Sequence, residues 1–254
     1  MTLTLGRCTS RAQRLFWLLL GCSSVVPARA KAQAFPASGE EVIHAMHDRY
    51  ADSWYRAATF WQKVTRHGRG DSVTVETWRG AALVPGRLRI DVKGASPPRT
   101  YLHVGDSLFV ISGDSVTRVA EHSFLAAISR DVYRQAPDKT LAALRAEQFA
   151  MTPVYGTAWS GREVYVIGAA KGDLHAPQLW IDRDRLLFLR AFAPNTRDNT
   201  KTDEYRFEDY TLRPGGWMPR RVVKLTDGRE VERADIWGVE LNGRLDAKTF
   251  APPK

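Results

Sequence analysis

The spacing of apolar residues changes once along the chain, from a helical period to a strand period. The apolar residues of the first segment recur at steps of three and four: Ile43, Met46, Tyr50, Trp54 and Ala57. This spacing predicts one amphipathic helix of about five turns that ends before Thr59. Ser38 and Glu41 precede the run in the arrangement of a capping box, which favours a helix start at that point.

From Thr59 onward, short segments rich in β-branched and aromatic residues alternate with Gly, Pro and Asp, which is typical of strands and turns. In one segment, the apolar residues Leu88, Ile90 and Val92 alternate with the polar residues Arg87, Arg89 and Asp91. This alternation predicts a strand with one buried and one wet face. Asp227-Gly228 predicts a type I′ hairpin turn, because both central positions of that turn need positive φ.

Two short helices are expected to interrupt the strands. Phe124, Ile128 and Val132 stand at helical spacing, and Pro137 opens a second helical segment at a position where proline is tolerated. No stretch resembles a linker between domains. Residues 35–254 are therefore predicted to form one mainly β (α+β) domain, an antiparallel sheet of ten or more strands with three helices.

Residues 1–34 have the features of a secretory signal peptide. Three basic residues come first, with no acidic residue among them: Arg7, Arg11 and Arg14. An apolar run over 15–26 follows, and small residues suited to cleavage end at Ala30 and Ala34. A second interpretation competes, because Leu19–Cys22 also fits a bacterial lipobox in which Cys22 is acylated. Either route takes the chain out of the cytoplasm.

Charge and cysteine content exclude several classes of function. The formal net charge is +9, but residues 1–34 hold five basic and no acidic residues, so the remainder has 32 basic against 28 acidic residues, or +4. This mild excess, without a cluster of bases and aromatics, argues against nucleic acid as a partner. Cys8 and Cys22 are the two cysteines of the chain, so residues 35–254 have neither a disulfide nor thiol chemistry.

One tetrapeptide resembles an enzyme signature. Gly105-Asp106-Ser107-Leu108 matches a class of serine esterases and lipases in which the serine is the nucleophile and starts a helix. Here a strand segment follows Ser107. The late Asp-x-x-His pair of that class is absent, and His175 has the wrong spacing. Since a serine without a base is a poor nucleophile, we interpret these residues as a turn and expect no catalytic residue and no enzyme activity.

Metal and cofactor sites are not expected either. His44, His47 and Asp48 stand close together on the first predicted helix, but no third ligand is evident and a solvated helix face explains them. Asp182 and Asp184 lie in a hairpin-like sequence and are interpreted as turn residues rather than as a pair of catalytic carboxylates. No glycine-rich phosphate loop is present.

Tryptophan is abundant in residues 35–254, at seven positions: Trp54, Trp61, Trp78, Trp159, Trp180, Trp217 and Trp237. Many strand segments are apolar on both faces. A well-filled core would explain this composition. A curved sheet that encloses an apolar cavity for acyl chains is the functional alternative.

The order of local patterns from about Glu40 to Pro253 resembles the LolA/LolB-like superfamily of outer membrane lipoprotein-sorting proteins. "VPGRLRID" resembles a Pro-x-x-x-Arg strand of the family, with Pro85 and Arg89 at those places. "YLHVGDSLFVIS" resembles the hairpin that follows it. The most specific features are Trp217-Met218-Pro219 and the terminal spacing of Asn242, Phe250 and Pro252.

The resemblance implies a strongly curved antiparallel half-barrel with three helices packed on its concave side as a lid. It implies a periplasmic carrier, free or anchored through Cys22, that binds lipoprotein acyl chains or other lipid in an apolar cavity. Family carriers tie the lid to the barrel with an arginine, and Arg89 or another arginine could do so here. Inner- or outer-membrane lipoprotein machinery would be a further partner. A lipoprotein-sensing regulatory domain on the same fold stays open as an alternative.

Candidate residues for the cavity are the apolar ones expected to point inward. They are Leu88, Ile90, Phe109, Ile111, Trp180 and Phe188 on the strands, with Ile128 and Leu141 on the helices.

We predict that the mature chain begins near Phe35 and lacks Cys22, because the apolar run before Cys22 is short for a lipoprotein signal. Mass spectrometry of the N-terminal peptide of protein purified from its native host checks this. Incorporation of labelled palmitate that is lost in Cys22→Ser would contradict it.

Overall fold

The computed structural model describes residues 35–68, 70, 72–120 and 123–252. The predicted signal peptide and Cys22 lie outside these residues. The described helices are α1 (Gly39–Tyr50), α2 (Phe124–Ser129) and α3 (Pro137–Ala146), with 3₁₀ helices at Asp131–Tyr133 and Ala247–Phe250. The strands are β1 (Ala57–His67), β2 (Val73–Leu83), β3 (Arg87–Lys93), β4 (Arg99–Val104), β5 (Ser107–Ser112), β6 (Ser115–Ala120), β7 (Val154–Trp159), β8 (Arg162–Ile167), β9 (Gln178–Asp182), β10 (Phe188–Pro194), β11 (Thr202–Glu208), β12 (Thr211–Arg213), β13 (Gly216–Met218), β14 (Arg221–Thr226) and β15 (Arg229–Leu241).

Thirteen of these strands form one antiparallel sheet in the order β6-β5-β4-β3-β2-β1-β15-β14-β11-β10-β9-β8-β7. The sheet is open, since β6 and β7 are its two edges. β1 and β15 meet at its middle, where Ala58 lies opposite Leu241 and Arg66 opposite Glu232. The prediction of a mainly β protein with at least ten antiparallel strands and three helices is confirmed.

Helix α1 is shorter than predicted. It ends at Tyr50, whose carbonyl accepts hydrogen bonds from the Ser53 and Trp54 amides and turns the chain out of the helix. Trp54 is nevertheless buried, packed edge-on against the Tyr50 ring at 5.1 Å. Trp54 lies four residues after Tyr50 and is buried, so its position in the sequence matches the helical spacing although it lies in a loop. The predicted helix was too long for this reason.

The start of α1 also differs from the predicted capping box. The Ser38 side chain makes no capping hydrogen bond, and the Glu41 carboxylate accepts from the Ala37 amide instead. The Gly39 amide donates to the Met151 carbonyl at 2.7 Å. A Cβ at Gly39 would lie 2.4 Å from the Ile167 side chain, so glycine permits the helix to start this close to β8.

Two segments rich in β-branched and aromatic residues, 204–213 and 217–226, are each divided into two strands. The chain between β11 and β12 passes through Asp209 at φ +55°, and Pro219 separates β13 from β14. Proline has no N–H to donate to a ladder, so the strand cannot continue through it. The two short strands β12 and β13 pair with each other and form a separate two-stranded sheet. The predicted hairpin turn is confirmed, with Asp227 at φ +49° and Gly228 at φ +76°.

The main core lies on one face of the sheet, which we call the helix side. Strand residues on this face include Ile167, Leu179, Phe188 and Ala191, all fully buried. The helix residues packed with them in the same cluster are Ile43, Met46, Ile128, Val132, Tyr133, Leu141 and Leu144. Each fully buried aliphatic side chain of this kind stabilises the fold by about 1.5–3 kcal/mol relative to exposure, so the helices are held mainly by apolar burial.

A second core cluster lies on the opposite face of the sheet, the far side. Trp180 packs there with Val164, Val166, Leu189 and Phe192. The Arg190 guanidinium stacks on two of these rings, 4.7 Å from the Trp180 centroid and 4.4 Å from that of Phe192. Its charge is balanced by Glu204, which accepts from Arg190 Nε at 2.6 Å. Burial alone would raise the pKa of Glu204, but hydrogen bonds from Arg206 and Arg190 lower it.

We predict that Glu204→Leu lowers the free energy of unfolding by about 3 kcal/mol, because it leaves the buried Arg190 charge without its carboxylate. The double variant Arg190→Met, Glu204→Leu should return to within about 1 kcal/mol of the wild type, since no buried charge is then left unpaired. Urea unfolding of the two single variants and the double variant measures both values. If the loss of stability in the double variant equals the sum of the losses in the two single variants, the proposed pairing is contradicted.

Candidate functional site

A groove of about 690 Å³ lies between the α2–α3 helices and two strand turns. Pro85 and Gly86 of the β2–β3 turn form one wall, and Gly105 and Asp106 of the β4–β5 turn extend it. The helix wall is lined by small residues, namely Ala126, Ala127, Ala136, Ala142, Ala143 and Ala146. The short alanine side chains leave the space open, and the volume lies in the usual range for sites that take small organic ligands.

The helix layer is fixed beside this groove by hydrogen bonds to both halves of the sheet. The Asp131 carboxylate accepts from the Gly86 amide at 3.2 Å, on the β2–β3 turn. The Tyr133 hydroxyl accepts from the Phe188 amide at 3.1 Å, on β10. Both residues belong to the 3₁₀ helix after α2. This short element therefore ties the helices to strands from opposite halves of the sheet.

Helix α1 is fixed through its last turn. The Tyr50 hydroxyl donates to the Arg185 carbonyl at 2.6 Å, and Arg49 donates to the Asp184 carbonyl. Both acceptors lie in the turn between β9 and β10. Asp182 holds this turn in shape, because its carboxylate accepts from the Asp184 and Arg185 amides at 3.0 and 2.8 Å. Asp182 ends β9 and Asp184 lies in the turn that follows, so the two aspartates shape a hairpin, as the sequence indicated.

The polar part of the groove includes His103, Arg130, Asp131, Gln135 and Lys139. Arg130 Nε lies 3.0 Å from an Asp131 carboxylate oxygen, so these two charges are paired. Burial and, secondarily, the Arg130 charge lower the pKa of His103 below its usual value. The imidazole in the groove wall therefore favours its neutral form, which suits an apolar ligand better than a cation would.

His103 also marks where the groove meets the sheet. Leu88 and Leu108 lie directly opposite it on the neighbouring strands, on the helix side. The next row on the same face consists of Ile90, Tyr101 and Val110. We call the five apolar residues Leu88, Ile90, Tyr101, Leu108 and Val110 the apolar strip. Ile90 is buried and the other four are half-buried.

The helices do not cover this strip. In the described part of the chain, none of its five residues belongs to the core cluster that contains the helices, or packs against it. On this face of the sheet the helices cover β8–β11, whereas β3–β5 stay partly open to solvent. An apolar surface that is open beside a groove can accept an apolar ligand without prior rearrangement of the core.

The structure brings together only some of the predicted cavity residues. Leu88 and Ile90 lie in the apolar strip, whereas Phe188, Ile128 and Leu141 are part of the helix-side core. Phe109, Ile111 and Trp180 lie on the far side, so their expected inward orientation is wrong. Phe109 and Ile111 are in the cross-strand rows of Arg89 and Asp91, the wet face of β3. Neighbouring residues of one strand point to opposite faces, and Ile90 is in the row of Val110, so Phe109 and Ile111 cannot share a cavity with it. Trp180 cannot either, because it packs in the far-side cluster.

Ser107 has the environment of a structural residue. It begins strand β5, and its hydroxyl oxygen accepts hydrogen bonds from Arg118 Nε and Nη2 at 3.2 and 3.0 Å. His103, the histidine on the adjacent strand, points to the other face of the sheet. Among the described residues no histidine or carboxylate forms a hydrogen bond with Ser107. The hydroxyl therefore has no proton acceptor that could activate it as a nucleophile.

The other candidate residues of the sequence are also structural. His47 Nδ1 lies 3.1 Å from the Asp48 carboxylate on the surface of α1, and no group of three potential metal ligands occurs in the described residues. Arg89 faces away from the helices: it binds Asp91 and donates to the Thr249 carbonyl at 3.3 Å. It therefore fastens the C-terminal 3₁₀ helix rather than the helix layer.

Sequence patterns reveal little of the groove. Its walls are alanines, turn glycines and a proline, which carry no pattern that distinguishes a ligand site from an ordinary turn or helix. One signal was present: α3 has the sequence "PDKTLAALRA", in which Leu141 and Leu144 are buried while alanines fill the neighbouring positions. A helix with a face of small residues beside its apolar face indicates close approach or open space.

The fold is shared with known structures. A LolA superfamily protein from Nitrosomonas europaea is 12% identical, with a TM-score of 0.56, over 83% of this chain and 97% of the other. A DUF1329 family protein from Desulfovibrio piger is 15% identical, with a TM-score of 0.59, over 84% and 95%. A Vibrio parahaemolyticus domain described as an outer membrane lipoprotein-sorting protein domain is 10% identical, with a TM-score of 0.57, over 84% and 95%.

These likenesses confirm the LolA-like fold inferred from the sequence, and at such identities they show the fold alone. The sequence matches no protein-family model, and no curated protein is significantly similar to it. No helix among the described residues is long and apolar enough to span a membrane.

We predict that the fold loses stability as pH falls from about 8 to about 5, in part through His103. Because its pKa is depressed in the folded state, the unfolded chain binds more protons below the ordinary histidine pKa, and acid favours unfolding. His103→Gln should make this loss smaller. Thermal unfolding across the pH range measures it, with the exposed His175→Gln as control. An equal change in both variants would contradict the assignment.

Proposed function

We propose that this chain, with its LolA-like fold, is a non-enzymatic carrier that binds the acyl chains of lipoproteins or other lipids. The observation that supports it is the open apolar strip beside the groove, on the same sheet face that the helices cover elsewhere. A sheet that served only as scaffold would gain stability by covering Leu108 and Val110, and here they are left partly exposed.

The energetics are suited to an acyl chain. Each methylene buried on binding contributes about 0.8 kcal/mol, so ten methylenes would contribute about 8 kcal/mol before the entropic costs of association. The apolar strip offers contact for a linear chain across three adjacent strands. The groove offers room for a bulkier end of the ligand between its alanine and turn walls. The polar residues at the groove would then lie near that end.

The helices would act as a lid in this proposal. They are bonded to the sheet at Gly86 and Phe188 through the 3₁₀ helix and at the β9–β10 turn through α1, and in this proposal they would close over the ligand from the groove side. The curved sheet would supply the receiving side. A carrier of this kind would work in the periplasm, in the sorting or transport of outer membrane lipoproteins, with lipoprotein machinery of either membrane as its partner.

We predict that Ile90→Glu reduces binding of a fluorescent fatty acid at least about tenfold, because an unpaired charge in an apolar site is costly. Arg87→Glu, three residues away on the exposed far side, should leave binding unchanged, and so should Ser107→Ala. Fluorescence titration of variants shown to be folded by circular dichroism measures these values.

Because Ile90 is buried, Ile90→Glu could lose binding simply by misfolding. A second pair of variants therefore changes less buried residues. Val110→Glu and Ile111→Glu change adjacent, half-buried residues of β5 that point to opposite faces. Binding should fall in the first and persist in the second. Equal binding by both members of each pair would exclude the apolar strip as the acyl site. Esterase activity that disappears in Ser107→Ala would favour an enzyme instead.

A further inference from the structure

The far side of the sheet carries two tryptophans paired across its central strands. Trp61 on β1 lies directly opposite Trp237 on β15, and the Trp237 side chain is 45% exposed. The strands have a register shift between Thr59 and Trp61. Gly238, at φ +58°, allows this irregularity, and a Cβ there would lie 3.0 Å from the Trp61 ring. A bulge of this kind re-aims side chains, and it places both indoles on one surface.

Three exposed cations surround the indoles. Arg79 lies opposite Trp61 on β2, with its guanidinium 5.9 Å from the ring centroid. Lys93 Nζ lies 5.7 Å from the same ring. Lys63 is on the same face of β1, two residues beyond Trp61. Within the described ranges, none of the three has a carboxylate oxygen within 4.0 Å. We call Trp61, Trp237, Lys63, Arg79 and Lys93 the tryptophan surface.

The acidic residues of the same face neutralise this surface only in part, because other arginines bind them more closely. Asp91 is held by Arg89 at 2.9 Å, and Asp235 by Arg221 at 3.2 Å. Glu240 on β15 is a further carboxylate of this face, and it is exposed. Beyond the cations, Val73 and Val75 of β2 are also exposed on the far side, by 53% and 59%. The result is an open face that combines exposed apolar side chains with a positive excess.

We propose that the tryptophan surface docks this protein on membranes that contain anionic phospholipids. Indoles favour the headgroup region of a bilayer because they are amphipathic, and lysine and arginine are attracted to anionic headgroups. A protein partner is disfavoured by the geometry. Tryptophans that anchor protein interfaces usually fill pockets, whereas these lie on the open face of a sheet that is suited to a flat membrane. The docking does not depend on acyl binding in the groove, which faces the other side.

The test is vesicle flotation of the full-length chain with two compositions. One is pure phosphatidylcholine, and the other contains about 30% phosphatidylglycerol. The wild type should bind the anionic vesicles more tightly, and added salt should weaken this preference. The triple variant Lys63→Gln, Arg79→Gln, Lys93→Gln should lose about 100-fold in affinity, about fivefold or 1 kcal/mol for each cation. Trp237→Ala should weaken binding to the same vesicles.

The matched control is Lys171→Gln, Arg197→Gln, Arg213→Gln. It removes the same charge from exposed positions elsewhere and should bind like the wild type. The N-terminal apolar run is common to all variants, so it cancels in the comparison. No preference of the wild type for anionic vesicles would overturn the proposal and favour an acidic protein as occupant. Equal loss in both triple variants would also overturn it. Fatty acid titration without vesicles reports on the groove separately, so either proposal can fail alone.

Discussion

The pairing of β1 with β15 is the constraint on which the rest of the structure depends. It joins the meander β1–β6 to the strands that end in β15, and without it the sheet would be two separate pieces. It is also long-range, since Arg66 and Glu232 are opposite each other in the ladder. Because side chains alternate between faces along every strand, this one register decides which residues of both halves share a face.

The two functional surfaces that we propose follow from that register. On the helix side it places the apolar strip of β3–β5 on the face where the helices pack over β8–β11. On the far side it places Trp61 opposite Trp237, next to Arg79 on β2. The 3₁₀ helix at Asp131–Tyr133 complements the strand pairing, because it bonds to Gly86 in one half and Phe188 in the other. A carrier built this way has its ligand side and its docking side on opposite faces of one sheet.

The sequence predicts this fold well where apolar and polar residues alternate. β3 is the clear case: Ile90 and Val92 are buried, and Arg87 is exposed on the other face. The prediction failed where alternation is absent. In β5, Leu108, Phe109, Val110 and Ile111 are all apolar, so nothing in the pattern tells which pair faces the helices. Trp180 was misassigned for the same reason, since it stands between the apolar residues Leu179 and Ile181.

The residues that carry the family resemblance are structural, which explains why they indicated the fold and not the ligand. The Asn242 side chain accepts a hydrogen bond from the Arg56 amide at 2.8 Å, and Phe250 is buried in the C-terminal 3₁₀ helix. Arg89 holds that helix through Thr249. These contacts hold the C-terminal segment against the sheet. The groove and the apolar strip depend instead on alanines and apolar residues that many sequences could supply, and no sequence motif marks them.

We propose that the open apolar strip holds acyl chains. The most direct test is native mass spectrometry of the protein purified without detergent from its own host, followed by lipid extraction and identification. We expect the protein to carry an acyl lipid in about one-to-one ratio, and this lipid should be lost in folded Val110→Glu and retained in Ile111→Glu. A wild-type protein that is free of lipid, and that takes up none when offered fatty acid or diacylated peptide, would contradict it.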